Sequence, residues 1–503
     1  MKKINNIITF LKKYWYYGLL AIPFISVCMK NKTPDNDIWF ILNNGRYVLN
    51  YGIPHIDTFT IHKGLHYVMQ QWLYAVIVYS ILHCFGKYGI LVFMLCLTTI
   101  LMTILYKLCY YISKDKFKTV LVVTIALTII SSFITTRPQV LTYIFLLLET
   151  YFLEKYTHTK NIKYLYPLPI ISLLLMNFHC SMWFMQYVFL LPFLVSRIIN
   201  KEKIKPILVI SIIMFITGFI NPYGVEAITF IFKSYGISEV NTLVLEMFPS
   251  DYGDSFWKYS IFILLLFLFI NVYFSKKKID YRYLFFIMGT FLLGAMHRKC
   301  VVYFILWAAY CFSAIDIEKI KIKKDIKFLQ DKVFLEIKRS LSLGLSICLI
   351  ITLFLTIKLT FEIYNFKDLK EGIVKYTLKN YDVSTIKMYT TYDDGGYTEY
   401  YNIKSYIDPR AELFVKKSNK KADIIAEAAK MYYKPSDKTI KKLLEKYNFT
   451  HILERYDSIF ERYLRSDSNY IKEYTEYTDN NKKNPIFTLY VRKDISVLNK
   501  KKE

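Results

Sequence analysis

Two aspartates beside the first apolar segment are the earliest residues whose type and spacing could do chemistry. Asp35 and Asp37 form a D-x-D motif directly after that segment, and the aromatic Trp39 follows. A carboxylate at a membrane surface can take a proton from an acceptor hydroxyl or bind a divalent cation such as Mg²⁺ or Mn²⁺. Asp37 and Asp35 are therefore candidate catalytic residues and candidate metal ligands. The alternative is that both aspartates are ordinary solvated residues of a loop.

Cations lie at the ends of later apolar segments, where they are costly unless they are paired or line a wet cavity. Arg137 separates two long apolar segments, and His297, Arg298 and Lys299 form a cluster between two others. Such a cluster suits a phosphate group. We predict that Arg298, His297, Arg137 and Lys299 bind the phosphate of a donor substrate. For Arg137, a side chain that only reaches to the membrane interface is the alternative.

Four further polar residues between apolar segments are candidates for contacts to a donor or an acceptor: His179, Gln139, Glu246 and Asn221. Each has an ordinary alternative, namely an interfacial polar side chain, a solvated acid or, for Asn221 before Pro222, a structural turn. Acids early in the chain and cations late in it suit transfer from a phosphate-linked donor. The carboxylate deprotonates the acceptor, and the cations stabilise the leaving phosphate.

The helices that the long apolar stretches of the chain are predicted to form must position these residues. Of the 503 residues, 54% are hydrophobic, and apolar windows recur up to about residue 360, as in helical membrane proteins. We predict that residues 1–360 form a polytopic α-helical membrane domain with about 11 transmembrane helices. The predicted spans are 14–29, 89–111, 119–136, 140–156, 163–180, 182–199, 206–220, 258–274, 281–296, 300–315 and 340–360.

Clusters of Lys and Arg predict the orientation. They fall on alternate connections: the N-terminus and residues 114–118, 155–163, 197–205, 276–282 and 319–339. Because positive loops stay in the cytoplasm, these connections are predicted to be cytoplasmic, provided that the apolar stretch 68–85 lies along the outer surface instead of crossing. The net charge of +26 is then explained by these loops, and we predict no nucleic-acid partner. The sequence thus predicts a multi-pass plasma-membrane protein with a cytoplasmic N-terminus and a first outer loop over residues 30–88.

Residues 361–503 are predicted to be a soluble, extracytoplasmic α/β domain. Strand-like runs lie at 386–391, 404–408, 450–454 and 486–492, and helical patterns lie near 420–432 and 437–446. Gly395-Gly396 reads as a turn, and Asp408 with Arg410 reads as a structural ion pair more than as an acceptor contact. The eight cysteines all lie before residue 361 and contain no CxxC motif, which supports neither a disulfide framework nor a zinc site.

A series of motifs in a characteristic order is spread over most of the chain. The series comprises Asp35, Asp37 and Trp39, Gly45-Arg46, Gly52-Ile53-Pro54 with Asp57, Phe59-Thr60, Gln71-Trp72-Leu73, Arg137-Pro138-Gln139, Asn177 with His179, Asn221 to Gly224, His297-Arg298, Asp393 to Tyr397 and Ile407 to Leu413. In this order they resemble the GT-C superfamily of integral-membrane glycosyltransferases. The similarity is to bacterial members related to protein mannosyltransferases and lipid A aminoarabinose transferases.

The resemblance implies a polyprenyl-phosphate-linked sugar donor and reaction on the extracytoplasmic side, usually with inversion at the anomeric carbon. The leading interpretation is transfer to a glycan, lipid or protein outside the cell. It implies that Asp37 is the catalytic carboxylate, supported by Asp35, and it places surface-lying helices in the first outer loop. One position departs from the pattern. Relatives tend to carry an acidic residue before the Trp of the surface helix, where this chain has Gln71, which puts activity or metal use in question.

Three other functions remain open from the sequence. An envelope polysaccharide polymerase or ligase also needs outward cations, although the early D-x-D disfavours it. A transporter or flippase of lipid-linked sugars predicts ionisable residues deep within spans, whereas the charged residues here cluster at helix ends. A non-catalytic assembly factor is favoured by Gln71.

Overall fold

The computed structural model of the chain describes residues 13–230, 232, 240, 243–251, 253–273, 279–316, 332–478 and 483–499. The described part is helical up to Ile363 and is followed by a smaller part that contains both helices and a sheet. The longer helices of the first part are α1 (Ala21–Lys30), α2 (Ile38–Tyr51), α3 (Trp72–Ser113), α4 (Lys116–Ile129), α5 (Gln139–Thr159), α6 (Pro167–His179), α7 (Met185–Ile199), α8 (Lys205–Thr217), α9 (Ser255–Tyr273), α10 (Tyr281–Met296), α11 (Val301–Ala314) and α12 (Lys332–Ile363).

Several of these helices are long and apolar enough to cross a bilayer. Within the described ranges there are five such stretches: Trp72–Ser113, Lys116–Phe133, Ile162–Met182, Ser255–Tyr273 and Ser340–Ile363. The chain is therefore a multi-pass membrane protein. Each of the eleven predicted spans falls on a helix, although several helices are shorter than a bilayer requires. Residues 276–278 and 319–331, parts of two predicted basic connections, lie outside the described residues.

Local sequence explains where individual helices begin. The Asp115 side chain accepts a hydrogen bond from the Lys118 backbone N–H at 3.0 Å and so caps α4. Asp280 caps α10 in the same way, through the Arg282 backbone N–H at 3.0 Å. These caps satisfy backbone donors that the first helical turn leaves without partners.

Gly86 divides the predicted surface helix from the span that follows it. Its φ of 63° and ψ of −163° are not helical and interrupt α3, a conformation that glycine adopts without steric cost. The segment before the break begins at Trp72, four residues later than predicted, and buries Tyr74, Ala75 and Val78. It packs against α2, where the absence of a side chain on Gly45 lets the Ala75 backbone approach.

One buried acid departs from the expectation that charged residues of the membrane region cluster at helix ends. Glu149 lies near the middle of α5 and is fully buried, and neither of its carboxyl oxygens has a hydrogen-bond partner among the described residues. Glu154, more than one turn further along, is paired with Arg282 at 2.8 Å. Neither glutamate lines the cavity described below.

The C-terminal part is a four-stranded mixed sheet surrounded by helices. Strands β1 (Met388–Tyr389), β2 (His451–Arg455), β3 (Tyr470–Tyr477) and β4 (Pro485–Arg492) are arranged in the order β1-β2-β4-β3. The first pair is parallel and the other two pairs are antiparallel. The helices are α13 (Glu371–Asn380), α14 (Gly395–Tyr400), α15 (Ile424–Tyr433), α16 (Asp437–Tyr447), α17 (Ile459–Ser466) and α18 (Lys493–Asn499).

The α/β prediction for this part is confirmed, with three corrections. The run 404–408 is not a strand, since Ser405 forms only isolated bridges to Thr60 and Met388. Strand β3 was not predicted, because Lys472, Glu473 and Glu476 interrupt its apolar residues. Gly395-Gly396 is not a turn: it begins α14, and a Cβ on Gly395 would overlap the Ile407 carbonyl oxygen.

The C-terminal part packs directly on the segment between α1 and the Gly86 break. The Trp39 ring contacts Tyr397 at 4.7 Å between ring centroids. The Arg410 side chain is buried and is paired with Asp57 at 2.8 Å, Asp408 at 2.5 Å and Glu399 at 3.3 Å. This confirms the predicted pair between Asp408 and Arg410 and extends it to Asp57 in the early segment.

Candidate active site

A cavity of about 640 Å³ lies between the helical region and the C-terminal part. Its floor is formed by the segment after α1, the connection between α4 and α5, the end of α6 and the residues before α11. Its roof is formed by the ends of β1 and β2 and by the segments around residues 406–412 and 428–435. Its charged side chains are Asp35, Asp37, Arg137, Glu246, Lys299, Asp393, Glu412, Glu454 and Arg455, together with His179.

Arg137 organises one end of this cavity. Its Nε lies 2.8 Å from Asp35 Oδ1 and 3.2 Å from Asp37 Oδ2, and its Nη1 lies 2.7 Å from Glu246 Oε1. The Asp37 backbone N–H also donates to Asp35 Oδ1, at 3.0 Å. The structure therefore brings together four residues that the sequence analysis selected separately, and it fixes both aspartates on the cavity wall.

The acidity of the Asp37 carboxyl is strongly perturbed. Burial raises the pKa of its carboxyl to about 8, and the Arg137 guanidinium opposes that rise. A carboxylate with a raised pKa near the working pH is a stronger base than an ordinary aspartate. Asp37 can thus accept a proton from a group bound in the cavity.

The side of the floor formed by the end of α6 and by the residues before α11 carries His179 and Lys299. Both line the cavity, and His179 Nδ1 forms a hydrogen bond of 2.8 Å with Thr142 Oγ1. Burial raises the pKa of Glu412, which also lines the cavity, while a backbone hydrogen bond and, after it, the charge of Lys299 oppose the shift. This side therefore offers a cation and an imidazole to a bound group.

Three residues of the predicted set do not reach the cavity. The Arg298 guanidinium lies 2.5 Å from Asp251 and 3.8 Å from Asp254, and the His297 ring forms a hydrogen bond of 2.9 Å with the Met247 carbonyl oxygen. These two residues hold the segment that follows Glu246. The Asn221 amide donates to the Gly218 and Gly224 carbonyl oxygens, at 2.7 and 3.2 Å, as a structural turn requires.

The roof contains residues that the sequence analysis did not select. Tyr392, Tyr432 and Glu454 line it, and the exposed fraction of Tyr432 is 65%. Burial raises the pKa of Glu454 to about 7. These residues were missed because the sequence does not indicate which faces of a separate domain turn toward the membrane region.

Two amide oxygens on the floor lack partners. Gln70 Oε1 and Gln139 Oε1 are buried and form no hydrogen bond within the described part of the chain. Both residues line the cavity, as does Gln71. A buried amide oxygen without a partner is costly, and a hydroxyl-bearing ligand in the cavity would satisfy it. Gln139, selected from the sequence, is therefore placed in the site.

The side chains present do not fit a divalent cation. The ranges that the structure describes contain no group of three His, Cys, Asp or Glu side chains arranged to hold a metal ion. The carboxylates of Asp35, Asp37 and Glu246 instead converge on a guanidinium. We therefore derive no step through a metal.

Comparison with known proteins identifies the fold. No protein-family model matches the sequence, and no curated protein is significantly similar to it. The crystal structure of the Archaeoglobus fulgidus oligosaccharyltransferase in the apo form matches with a TM-score of 0.55 and 11% identity, over 88% of this chain and 70% of that chain. The same enzyme, tethered with an acceptor peptide containing the NVT sequon via a disulfide bond, matches with a TM-score of 0.56 and 10% identity, over 89% and 70%. The chain thus has an oligosaccharyltransferase-like fold, in agreement with the GT-C-like fold expected from its motifs.

Proposed function

We propose that this protein is a membrane glycosyltransferase that moves a sugar from a polyprenyl-phosphate-linked donor to a hydroxyl-bearing acceptor on the extracytoplasmic side. One observation carries the proposal: a single cavity in an oligosaccharyltransferase-like fold contains the perturbed carboxyl of Asp37 and the cation of Lys299. The orientation follows the positive-inside bias, with eleven crossings and a cytoplasmic N-terminus.

In the proposed reaction, Asp37 takes the proton of the acceptor hydroxyl. The hydroxyl oxygen forms a bond to the anomeric carbon, while the bond from that carbon to the donor phosphate oxygen breaks. The phosphate leaves with the electron pair of the broken bond, and cations stabilise its added charge. Attack from the side opposite the phosphate inverts the anomeric centre.

Lys299 is the first candidate for the phosphate contact, because it lines the cavity at the membrane side, where a lipid-linked donor would enter. Arg137 is the second, since its ion pairs among the described residues use Nε and Nη1 and leave Nη2 to a donor oxygen. His297 and Arg298 then contribute indirectly, by holding the segment that follows Glu246.

The acceptor is proposed to bind under the roof. Tyr392, Tyr432 and Glu454 offer aromatic faces and a carboxyl group, a combination that suits the apolar faces and hydroxyls of a sugar. We therefore favour a glycan acceptor over a lipid or protein. The Archaeoglobus enzyme was tethered with an acceptor peptide, but a similarity of 10% identity carries only the fold to this chain.

A second candidate is the transfer of a whole oligosaccharide, as in a polysaccharide polymerase or ligase. This candidate is suggested by the activity of the enzyme whose fold the chain shares. The two candidates differ in the donor: the first uses a monosaccharide on one phosphate, and the second uses a longer glycan on a diphosphate.

Transfer of radiolabelled sugar in membranes tests the proposal. Membranes of the source cell supply the acceptor, and synthetic polyprenyl-phosphate monosaccharides and polyprenyl-diphosphate oligosaccharides are offered separately. We expect the wild type to transfer from the first donor class. Asp37→Asn should lower the rate by at least about a hundredfold, which is the lower range for loss of a general base.

Asp423→Asn is the matched control, because Asp423 is exposed on the C-terminal part and does not line the cavity. It should transfer at the wild-type rate and insert equally well. Wild-type rates for Asp37→Asn would remove the proposed base. Transfer only from the diphosphate oligosaccharides would establish the second candidate instead.

A further inference from the structure

We propose that the Arg137 guanidinium takes the position of a divalent cation among Asp35, Asp37 and Glu246, so that this site works with a built-in cation and binds no metal. The proposal concerns the same site as the proposed glycosyl transfer and rests on it for its role in the reaction. Its metal-binding consequence can be measured separately.

The contacts of Arg137 support this inference. Each of the three carboxylates places one oxygen 2.7 to 3.2 Å from a guanidinium nitrogen. Divalent cations with oxygen ligands need those oxygens at about 2.0–2.6 Å from a common centre. The guanidinium fills the space in which such a centre would lie.

The charge at this position is permanent. A guanidinium stays protonated at every pH that a protein experiences, and only 20% of the Arg137 side chain is exposed. A divalent ion would have to approach it at close range without water between them, which electrostatics disfavours. If a divalent ion displaced the Arg137 side chain from the carboxylates, the largely buried guanidinium would lose its charged partners.

The chain also fixes Arg137 in place. It lies between the end of α4 and the start of α5, and Pro138 directly precedes α5. The Asp35 oxygen that accepts from Arg137 Nε also accepts a hydrogen bond from the backbone N–H of Asp37. Arg137, Asp35 and Asp37 therefore each lie just before the start of a helix. The consequence of the pairing is that Asp37 is oriented by a side chain and not by a bound ion.

Binding of Mn²⁺ to purified full-length protein in detergent tests the proposal. Electron paramagnetic resonance measures the free Mn²⁺ in titrations of the wild type, Arg137→Asp and Arg46→Asp. Arg46 is the matched control, because it lies in the same outer segment and its guanidinium donates to the side-chain oxygens of Asn43 and Asn402 instead of to carboxylates.

We expect that the wild type and Arg46→Asp do not bind Mn²⁺ at a Mn²⁺ concentration of about 100 µM, a concentration within the range at which weak carboxylate sites bind cations. Arg137→Asp replaces the cation by a fourth carboxylate and should bind at least about tenfold more tightly. Adding Asp35→Asn to Arg137→Asp should abolish that gain. If Arg137→Asp does not fold, the wild type still decides: tight Mn²⁺ binding that Asp35→Asn removes would overturn the proposal.

Transfer assays separate this inference from the proposed function. Wild-type transfer should persist in EDTA. Transfer that EDTA abolishes and Mn²⁺ restores would overturn the built-in cation while leaving glycosyl transfer established. A wild type that neither transfers sugar nor binds Mn²⁺ would refute the proposed function and support the absence of a metal site.

Discussion

Replacement of Arg410 is expected to uncouple the C-terminal part from the membrane region. Arg410 is the only described cation within ion-pair distance of Asp57 and Asp408, whose side chains are fully buried. Burial, followed by the charge of Asp408, raises the pKa of Glu399, which favours its neutral form. Arg410→Ala would therefore leave two buried carboxylates without a counter-charge.

Removing one partner of a buried ion pair costs about 3–5 kcal/mol. Arg410 also lies over the rings of Phe59 and Tyr67, at 5.0 and 4.9 Å, and loss of these contacts adds up to about 1 kcal/mol. For a unit of the size of the C-terminal part, a decrease of about 4 kcal/mol in the free energy of unfolding lowers the melting temperature by roughly 10 °C. Thermal unfolding in detergent, followed by size-exclusion chromatography, measures the shift.

Arg462→Ala is the control, because Arg462 forms an exposed ion pair of 3.6 Å with Asp457 on the same part of the protein. Exposed pairs contribute about 0–1 kcal/mol, so this variant should melt close to the wild type. Arg410→Met, which keeps most of the side-chain bulk, should behave like Arg410→Ala. A melting temperature for Arg410→Met equal to that of Arg462→Ala would refute the reasoning from buried charge.

Two further predictions concern the floor of the cavity. Because burial raises the pKa of Asp37 to about 8 and the base must be deprotonated, transfer at low donor concentration should rise with pH up to about 8. Arg137→Gln removes the charge that opposes this rise in pKa, so the increase in transfer rate should occur at a pH about one unit higher. An increase at unchanged pH would exclude Asp37 as the group that causes it. Lys299→Ala should raise the KM for donor by about tenfold or more, the value of a charged hydrogen bond, and Arg298→Ala should raise it less. Equal effects in donor titrations would contradict the placement of Lys299 at the phosphate.

The sequence was sufficient for the helical architecture. Hydropathy is a local property, and each predicted span falls on a helix, because an apolar window in a bilayer has few other ways to satisfy its backbone. The charge argument that kept residues 68–85 apart from the next span agrees with the break at Gly86. Glu149, in contrast, is one polar residue in an apolar window, and mean hydropathy does not reveal it.

The site was predicted in part, for a physical reason. Asp35, Asp37, Arg137 and Glu246 were recognised as residue types at a membrane boundary, but their convergence depends on helix packing over a separation of more than a hundred residues, which spacing does not encode. The same holds for Lys299, which reaches the cavity while its neighbour Arg298 turns to Asp251. Prediction of the roof residues would have required knowledge of how the C-terminal part packs on the helical region.

The proposed extracytoplasmic transfer requires that the proposed base, the proposed phosphate-binding cation and the acceptor all face the exterior. The most direct measurement is thiol labelling of intact cells with a membrane-impermeant maleimide, in a background in which the exposed Cys84, Cys96 and Cys348 are replaced by serine. Tyr432→Cys, at the cavity roof, should react in intact cells, whereas Lys163→Cys, on a predicted cytoplasmic connection, should react only after permeabilisation. Labelling of Lys163→Cys in intact cells, with Tyr432→Cys protected until permeabilisation, would place the cavity in the cytoplasm and contradict extracytoplasmic transfer.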